Sequence, residues 1–332
     1  MALATVGLLT IVHFVRGGVP ALSGTAEVSR FDLGSSGLLG MPSRSVLYGL
    51  PVLCLAFSAL GSRLPPHLGQ IAWGLLVASR LAMGFKGGMV DAGVIYLTAL
   101  LLQPTMSKAR LTRAGALVAA GSVGYGVWIG SHYSTIVRTG GMSLRYMADR
   151  MSIMAAEPGW LGLELGRMTT AGESILTYDL RYFADRYFHI TTGPDFAWDQ
   201  LVSSFITGTP RAGDYFLVPV TTGAPAYLAL SVPPSLVLVV VGIIGVLWGR
   251  SERQLITAGH PVRCLAAATG ILALRLFLLN GAGAYVAINL SFTFGFILTL
   301  YTLPLVPWRR LVTGVGRSRV RVAPVSLPAA GP

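Results

Sequence analysis

Apolar residues gather in eight runs, near residues 1–15, 45–61, 68–85, 87–103, 114–130, 227–249, 264–280 and 284–306. A helix needs about 20 mostly apolar residues to cross the hydrocarbon of a bilayer, so runs near this length predict transmembrane helices. The pattern predicts an all-α, polytopic integral membrane protein with about eight such helices and one large, mostly helical extracytoplasmic loop. In this organisation 1–130 carries helices one to five, 131–225 forms the extracytoplasmic (periplasmic) cap, 226–306 carries helices six to eight, and 307–332 is a basic cytoplasmic tail. The first run is short. His13 and Arg16 follow it and no basic segment precedes it, which argues against a cleaved signal peptide. It reads as the end of a longer helix whose start lies outside this sequence.

Composition closes the alternatives. A chain of 332 residues would ordinarily make about two soluble domains. Here 53% of residues are hydrophobic and only 11% charged, with a mean hydropathy of +0.66. Soluble chains carry about 25% charge, so the polar surface is too small for that class. Disorder has the opposite signature, low hydrophobicity with high charge. The two cysteines, Cys54 and Cys264, lie in apolar runs and cannot build a disulfide framework or a zinc site.

The net charge of +12 raises nucleic acid as a partner, and its distribution argues against it. The 25 Lys and Arg sit between apolar runs and in the tail, where Arg309, Arg310, Arg317, Arg319 and Arg321 follow the last run. That is membrane-flanking charge, whose natural partners are anionic lipids. With eight spans, one side holds Arg63, Lys108, Arg110, Arg113, Arg250, Arg253, Arg263 and the five tail arginines. Short loops on the other hold Arg16, Arg30, Arg44 and Lys86. Twelve against four predicts both termini in the cytoplasm, where basic loops are retained.

The segment 131–225 then lies outside and holds nine of the 13 acidic residues. Leu144, Met147, Met151 and Met154 recur at helical spacing, as do Leu180, Phe183, Tyr187 and Ile190. Arg138, Arg145, Arg150, Arg167, Arg181, Arg186 and Arg211 are interspersed with carboxylates and aromatic rings. Singly, pairs such as Arg145/Asp149 and Arg181/Asp185 are ordinary solvated salt bridges on one helical face. Together, guanidinium forks suited to phosphate and rings suited to sugar stacking point to an anionic ligand that carries carbohydrate. His132 and His189 have two open readings, a general base with carboxylate support or an interfacial histidine bonded to backbone.

Ionisable groups within the apolar runs are expensive and mark function by default. Arg80, Lys86 and Asp91 flank one tight turn, where a structural Arg80–Asp91 pair and a ligand-binding role are equally open. Arg275 lies deeper, with no carboxylate on neighbouring spans, so a lipid phosphate is its expected partner. The chain has no Asp-x-Asp in the cap, no phosphate-binding glycine loop, no His/Cys metal cluster and no nucleophile elbow. ATP-driven transport and metal-dependent sugar transfer are therefore not expected, and no cofactor is implied.

One stretch is more specific. "HFVRGGVPALSGTAEVSRFDLG", residues 13–34, resembles the Gly-Gly-Ile-Pro-Leu segment and following Ala-Arg-Phe-like element of bacterial oligosaccharide repeat-unit polymerases, the O-antigen polymerase (Wzy-type) family. "MGFKGGMVDAGVIYLTALLL" is similar to that family's Gly-Ser-Arg-Gly turn before an apolar span, with Lys86 standing where an arginine is usual. "MADRMS" resembles its Asn/Asp-Arg element, and "PVTTGAPAYLAL" its Thr-x-x-Gly-x-x-Tyr segment. The pieces fall in family order over about residues 5–305. Relatives carry more spans ahead of the Gly-Gly-Pro segment than the single short one here.

The resemblance implies glycosyl transfer at the outer leaflet of the bacterial cytoplasmic (inner) membrane. A growing glycan on undecaprenyl pyrophosphate would move onto the next lipid-linked repeat unit, building O-antigen, capsule or exopolysaccharide for the cell envelope. Such a metal-independent glycosyltransferase needs cations for the leaving pyrophosphate, and the residues implied are Arg30, Arg80, Lys86, Arg138, Arg145 and Arg150. It needs a base for the acceptor hydroxyl, for which Asp149, His132 and Asp185 are the candidates. Its implied partners are lipid-linked oligosaccharide and the chain-length regulator and flippase of the same pathway. Two alternatives stay open, an O-antigen ligase-type transferase and a non-enzymatic flippase or transporter for lipid-linked glycan.

Overall fold

A computed structural model of the chain describes residues 1–23, 40–84, 88–103, 106–130, 163–164, 174–188, 194, 198, 201–202, 223–257, 260–280 and 283–302. Among these the secondary structure is entirely helical. The helices are α1 (Ala2–Gly17), α2 (Met41–Leu60), α3 (Pro66–Ala82), α4 (Gly88–Leu101), α5 (Lys108–Gly130), α6 (Ile175–Phe188), α7 (Gly223–Ser231), α8 (Pro234–Thr257), α9 (Pro261–Asn280) and α10 (Gly283–Thr302).

Each expected apolar run meets a helix, but the helices are not equivalent. Four described stretches are long and apolar enough to cross a membrane: Ala2–Leu22, Met41–Leu60, Pro234–Thr257 and Pro261–Leu278. The chain is a membrane protein on that ground. The others fall short for visible reasons. α4 has only 14 residues, and α5 has 23 but starts with Lys108, Arg110 and Arg113 and is diluted by glycines. The expected sixth span is two helices, α7 and α8, parted before Pro233-Pro234, because proline supplies no backbone N–H and clashes with the preceding turn.

α2 is the centre. Val46, Leu50, Val52, Leu53, Cys54 and Ala56 have no exposed surface, and α1, α3, α4, α9 and α10 all pack around it. A helix apolar on every face is a helix buried on every face. α8 is its opposite: apolar, yet with Leu238 81% and Val246 67% exposed, a face of the kind that meets lipid or another protein. Both cysteines are buried thiols, unbridged.

Polar residues divide the bundle into two unlike ends. The start of α2, α4 and α10 and the end of α3, α5 and α9 meet at one end, where Arg44 Nε donates to Asn289 Oδ1 at 3.0 Å. The other end carries Arg63, Lys108, Arg110, Arg113, Arg250, Arg253 and Arg263. α6, in the stretch where helical spacing predicts a helix, docks through Ile175 onto Trp198, Val202 and Tyr227 beside Phe277.

Candidate functional site: a buried charge cluster

The cluster begins with a proline. In a regular helix the N–H of residue 51 would donate to the carbonyl of residue 47, but Pro51 has none. The chain relaxes into a π-helical turn over Ser45–Gly49, just before Pro51. The Leu47 carbonyl instead accepts from Arg80 Nη2 of α3 at 3.0 Å. The arginine thus bonds a carbonyl that residue 51 cannot serve.

Arg80 is 5% exposed and also pairs with Asp91 Oδ2 of α4 at 3.0 Å. Asp91 Oδ1 accepts from Arg275 Nη2 of α9, itself only 9% exposed. One carboxylate therefore bridges two guanidiniums from separate helices. The Tyr125 hydroxyl, near the end of α5, shares its proton between the carbonyls of Arg80 at 3.3 Å and Leu81 at 3.0 Å. Those carbonyls belong to the last turn of α3, where intrahelical donors run out.

Charge in this cluster does not balance. Two guanidiniums against one carboxylate leave a surplus positive charge in a nearly dry setting, where each unpaired ion costs several kcal/mol, on the order of 3–5 when a partner is removed. Among the described residues, Arg80 Nε, Arg275 Nε and Arg275 Nη1 find no acceptor. Such groups are expensive to leave bare and suit an anion with several oxygens.

A buried carboxylate ties α6 to the bundle. Asp179, 3% exposed, accepts from the Trp198 backbone N–H at 2.9 Å and from the Tyr227 hydroxyl at 3.1 Å. Burial raises its pKa from 3.8 to about 6, while the two hydrogen bonds pull the other way.

Of the expected site residues, the structure places Arg80 at the heart of the cluster. Asp185 lies half-buried on α6 and makes no ion pair among the described residues, so the expected Arg181/Asp185 bridge is not formed. Arg30, Lys86, His132, Arg138, Arg145, Asp149 and Arg150 lie outside the described residues, as does His189. Arg80 and Asp91 form the ion pair that one of their two open readings expects. The expectation that Arg275 lacks a carboxylate is corrected: Asp91 reaches it from a helix 184 residues away in sequence. Asp179 carried no expectation, although its four-residue spacing from Ile175 and Phe183 sets a carboxylate on the apolar face of α6.

The described residues define a helical membrane protein with an Arg–Asp–Arg centre, its two arginines buried, at one end of the bundle. No protein-family model, no curated protein and no solved structure matches the chain.

Proposed function

We propose that the chain is a membrane glycosyltransferase that polymerises undecaprenyl-pyrophosphate-linked oligosaccharide units into a surface polysaccharide. The observation that carries this reading is the surplus positive charge of Arg80 and Arg275, with three unpartnered guanidinium nitrogens, at the end of the bundle where α6 docks. In glycosyl transfer from a lipid diphosphate, negative charge develops on the leaving group, and preorganised guanidiniums stabilise it without reorganising. Arg30, Lys86, Arg138, Arg145 and Arg150 would extend the cation set, and Asp149, His132 or Asp185 would take the proton of the acceptor hydroxyl.

In this reading the cluster end faces outward and the seven-cation end faces the cytoplasm of a bacterial inner membrane, as retention of basic loops favours. A second reading, a flippase for the same lipid, draws support from the interruption between α7 and α8, since broken helices are common in transporters. The buried charges near the bundle end rather than its middle favour the first.

The test is the polysaccharide itself. Arg80→Lys and Arg275→Lys keep the charge and lose the fork, and should shorten the product while single-repeat glycolipid accumulates at the outer leaflet. Alanine at Arg138, Arg145 or Arg150 should abolish long chains. A normal ladder of chain lengths in all five variants overturns the polymerase, and accumulation of single units on the inner leaflet selects the flippase.

A further inference from the structure

A groove runs along the other half of the bundle, between α3, α4 and α5. Its volume is about 640 Å³, and its walls are Trp73, Tyr96, Leu100, Leu117 and Val118. The lining is apolar over most of its length and ends, at the basic end of the bundle, in Gln103, Arg110 and Arg113. Arg110 and Arg113 are three residues apart and share one face of α5. Both are exposed, and neither has a carboxylate partner among the described residues.

Length narrows the occupant. From Arg110 to Gly121, α5 rises about 16 Å at 1.5 Å per residue. Half of a bilayer's hydrocarbon is about 15 Å. Along α4 and just past it the lining runs from Met89 to Gln103, about 21 Å by the same rise, so the groove is at least one leaflet deep and its cations lie at headgroup level. A neutral apolar ligand would leave the arginines unused, and a free anion would leave the apolar walls unused. Only an amphiphile with a negative head satisfies both.

We infer that this groove holds one acyl chain of an anionic glycerophospholipid, its phosphate seated on Arg110 and Arg113. The site is distinct from the Arg80 cluster and does not depend on the glycosyl-transfer reading. An acyl chain would cover Leu117, which is 74% exposed in the lining, and pack against Trp73 and Tyr96, whose rings meet edge to face at 5.4 Å.

The experiment uses the full chain in nanodiscs of equal parts phosphatidylglycerol and phosphatidylcholine, released into native mass spectrometry with retained lipids counted. The wild-type chain should keep phosphatidylglycerol selectively. Arg110→Gln with Arg113→Gln should lower that preference by about 30-fold, since each cation near an anionic surface contributes about five- to tenfold. Gly121→Leu fills the groove where a side chain meets open space, and should release the lipid with both arginines in place. Arg250→Gln with Arg253→Gln, at the same end but on α8, should change nothing. Equal retention of both lipids overturns the inference. So does a full loss in the α8 variant, which would mean diffuse charge, or full retention in Gly121→Leu, which would mean a headgroup without a seated chain. Circular dichroism confirms that each variant is folded before it is scored.

Discussion

Arg80 occupies the hydrogen-bonding place that Pro51 leaves open: its Nη2 donates to the Leu47 carbonyl, the group an ordinary residue at 51 would have satisfied. A defect in one helix thereby fixes the position of a charged side chain on another, before any ion pair is considered. The relationship is testable as a double-mutant cycle. Arg80→Met alone strands the Leu47 carbonyl, while Asp91 keeps its pair with Arg275. In a Pro51→Ala background the new N–H serves Leu47, so the same change should be milder by about 1–3 kcal/mol, the desolvation penalty of one orphaned carbonyl. Unfolding in mixed micelles measures both. Equal penalties in the two backgrounds would mean that Arg80 is not what satisfies Leu47.

The Arg–Asp–Arg centre predicts unequal responses from its members. Asp91→Asn leaves two buried guanidiniums facing each other without a counter-charge and should destabilise by about 3–5 kcal/mol. Arg275→Met removes the surplus charge and two unpartnered nitrogens, leaving a neutral Arg80–Asp91 pair. That variant should match or exceed wild-type stability, since replacing a buried ion by an apolar side chain is often neutral or better. The same unfolding assay decides. If Arg275→Met proves the more damaging, Arg275 has an acceptor outside the described residues.

Asp179 makes the docking of α6 depend on pH in an unusual direction. Its folded-state value, about 6, lies above the ordinary 3.8, so the folded chain holds the proton more tightly than the unfolded one. Packing is therefore most favourable below about pH 4, weakens as pH rises towards 6, and is flat above. The change amounts to about 3 kcal/mol at most. Asp179→Asn can still accept from the Trp198 N–H and should erase the dependence. Hydrogen exchange of the α6 amides at pH 4.5 and 7.5, corrected for intrinsic rates, reads it out. Equal protection at both pH values in the wild-type chain would remove Asp179 as the titrating group.

What the chain discloses in advance follows from range. Apolar runs are local, so the positions of α1 to α5 and α8 to α10 are legible, and Pro233-Pro234 marks the break between α7 and α8. Span count is less so, because glycines and first-turn cations in α5, and the brevity of α4, act on helices that still form. The cluster is a matter of packing. Spacing rules join residues three or four apart, whereas Asp91 and Arg275 meet only because α4 and α9 both lie against α2. Two local signals do reach the site: a proline inside an apolar run deprives the carbonyl four residues earlier, and Asp179 interrupts an apolar face. Neither names the partner that answers it.

The α4–α5 hairpin supplies the last prediction. A Cβ on Gly93 would lie 2.1 Å from Val118 Cγ1, closer than any real contact, so the two helices can approach only because residue 93 has no side chain. α4 carries Asp91 two residues away, and α5 carries Tyr125, which holds the end of α3. Gly93→Ala must therefore push α5 outward or twist α4, and either strains the cluster. The expected penalty is about 1–3 kcal/mol, the usual range for overpacking. Val118→Ala removes the obstructing methyls and leaves its own Cβ at 3.2 Å, so in that background Gly93→Ala should cost much less, a small residual strain being offset by the better helix propensity of alanine. A disulfide-free readout suffices: the thermal midpoint of the four chains in one detergent. If the two substitutions simply add, the helices are not in contact at this point, and the groove beside them has a different shape from the one described.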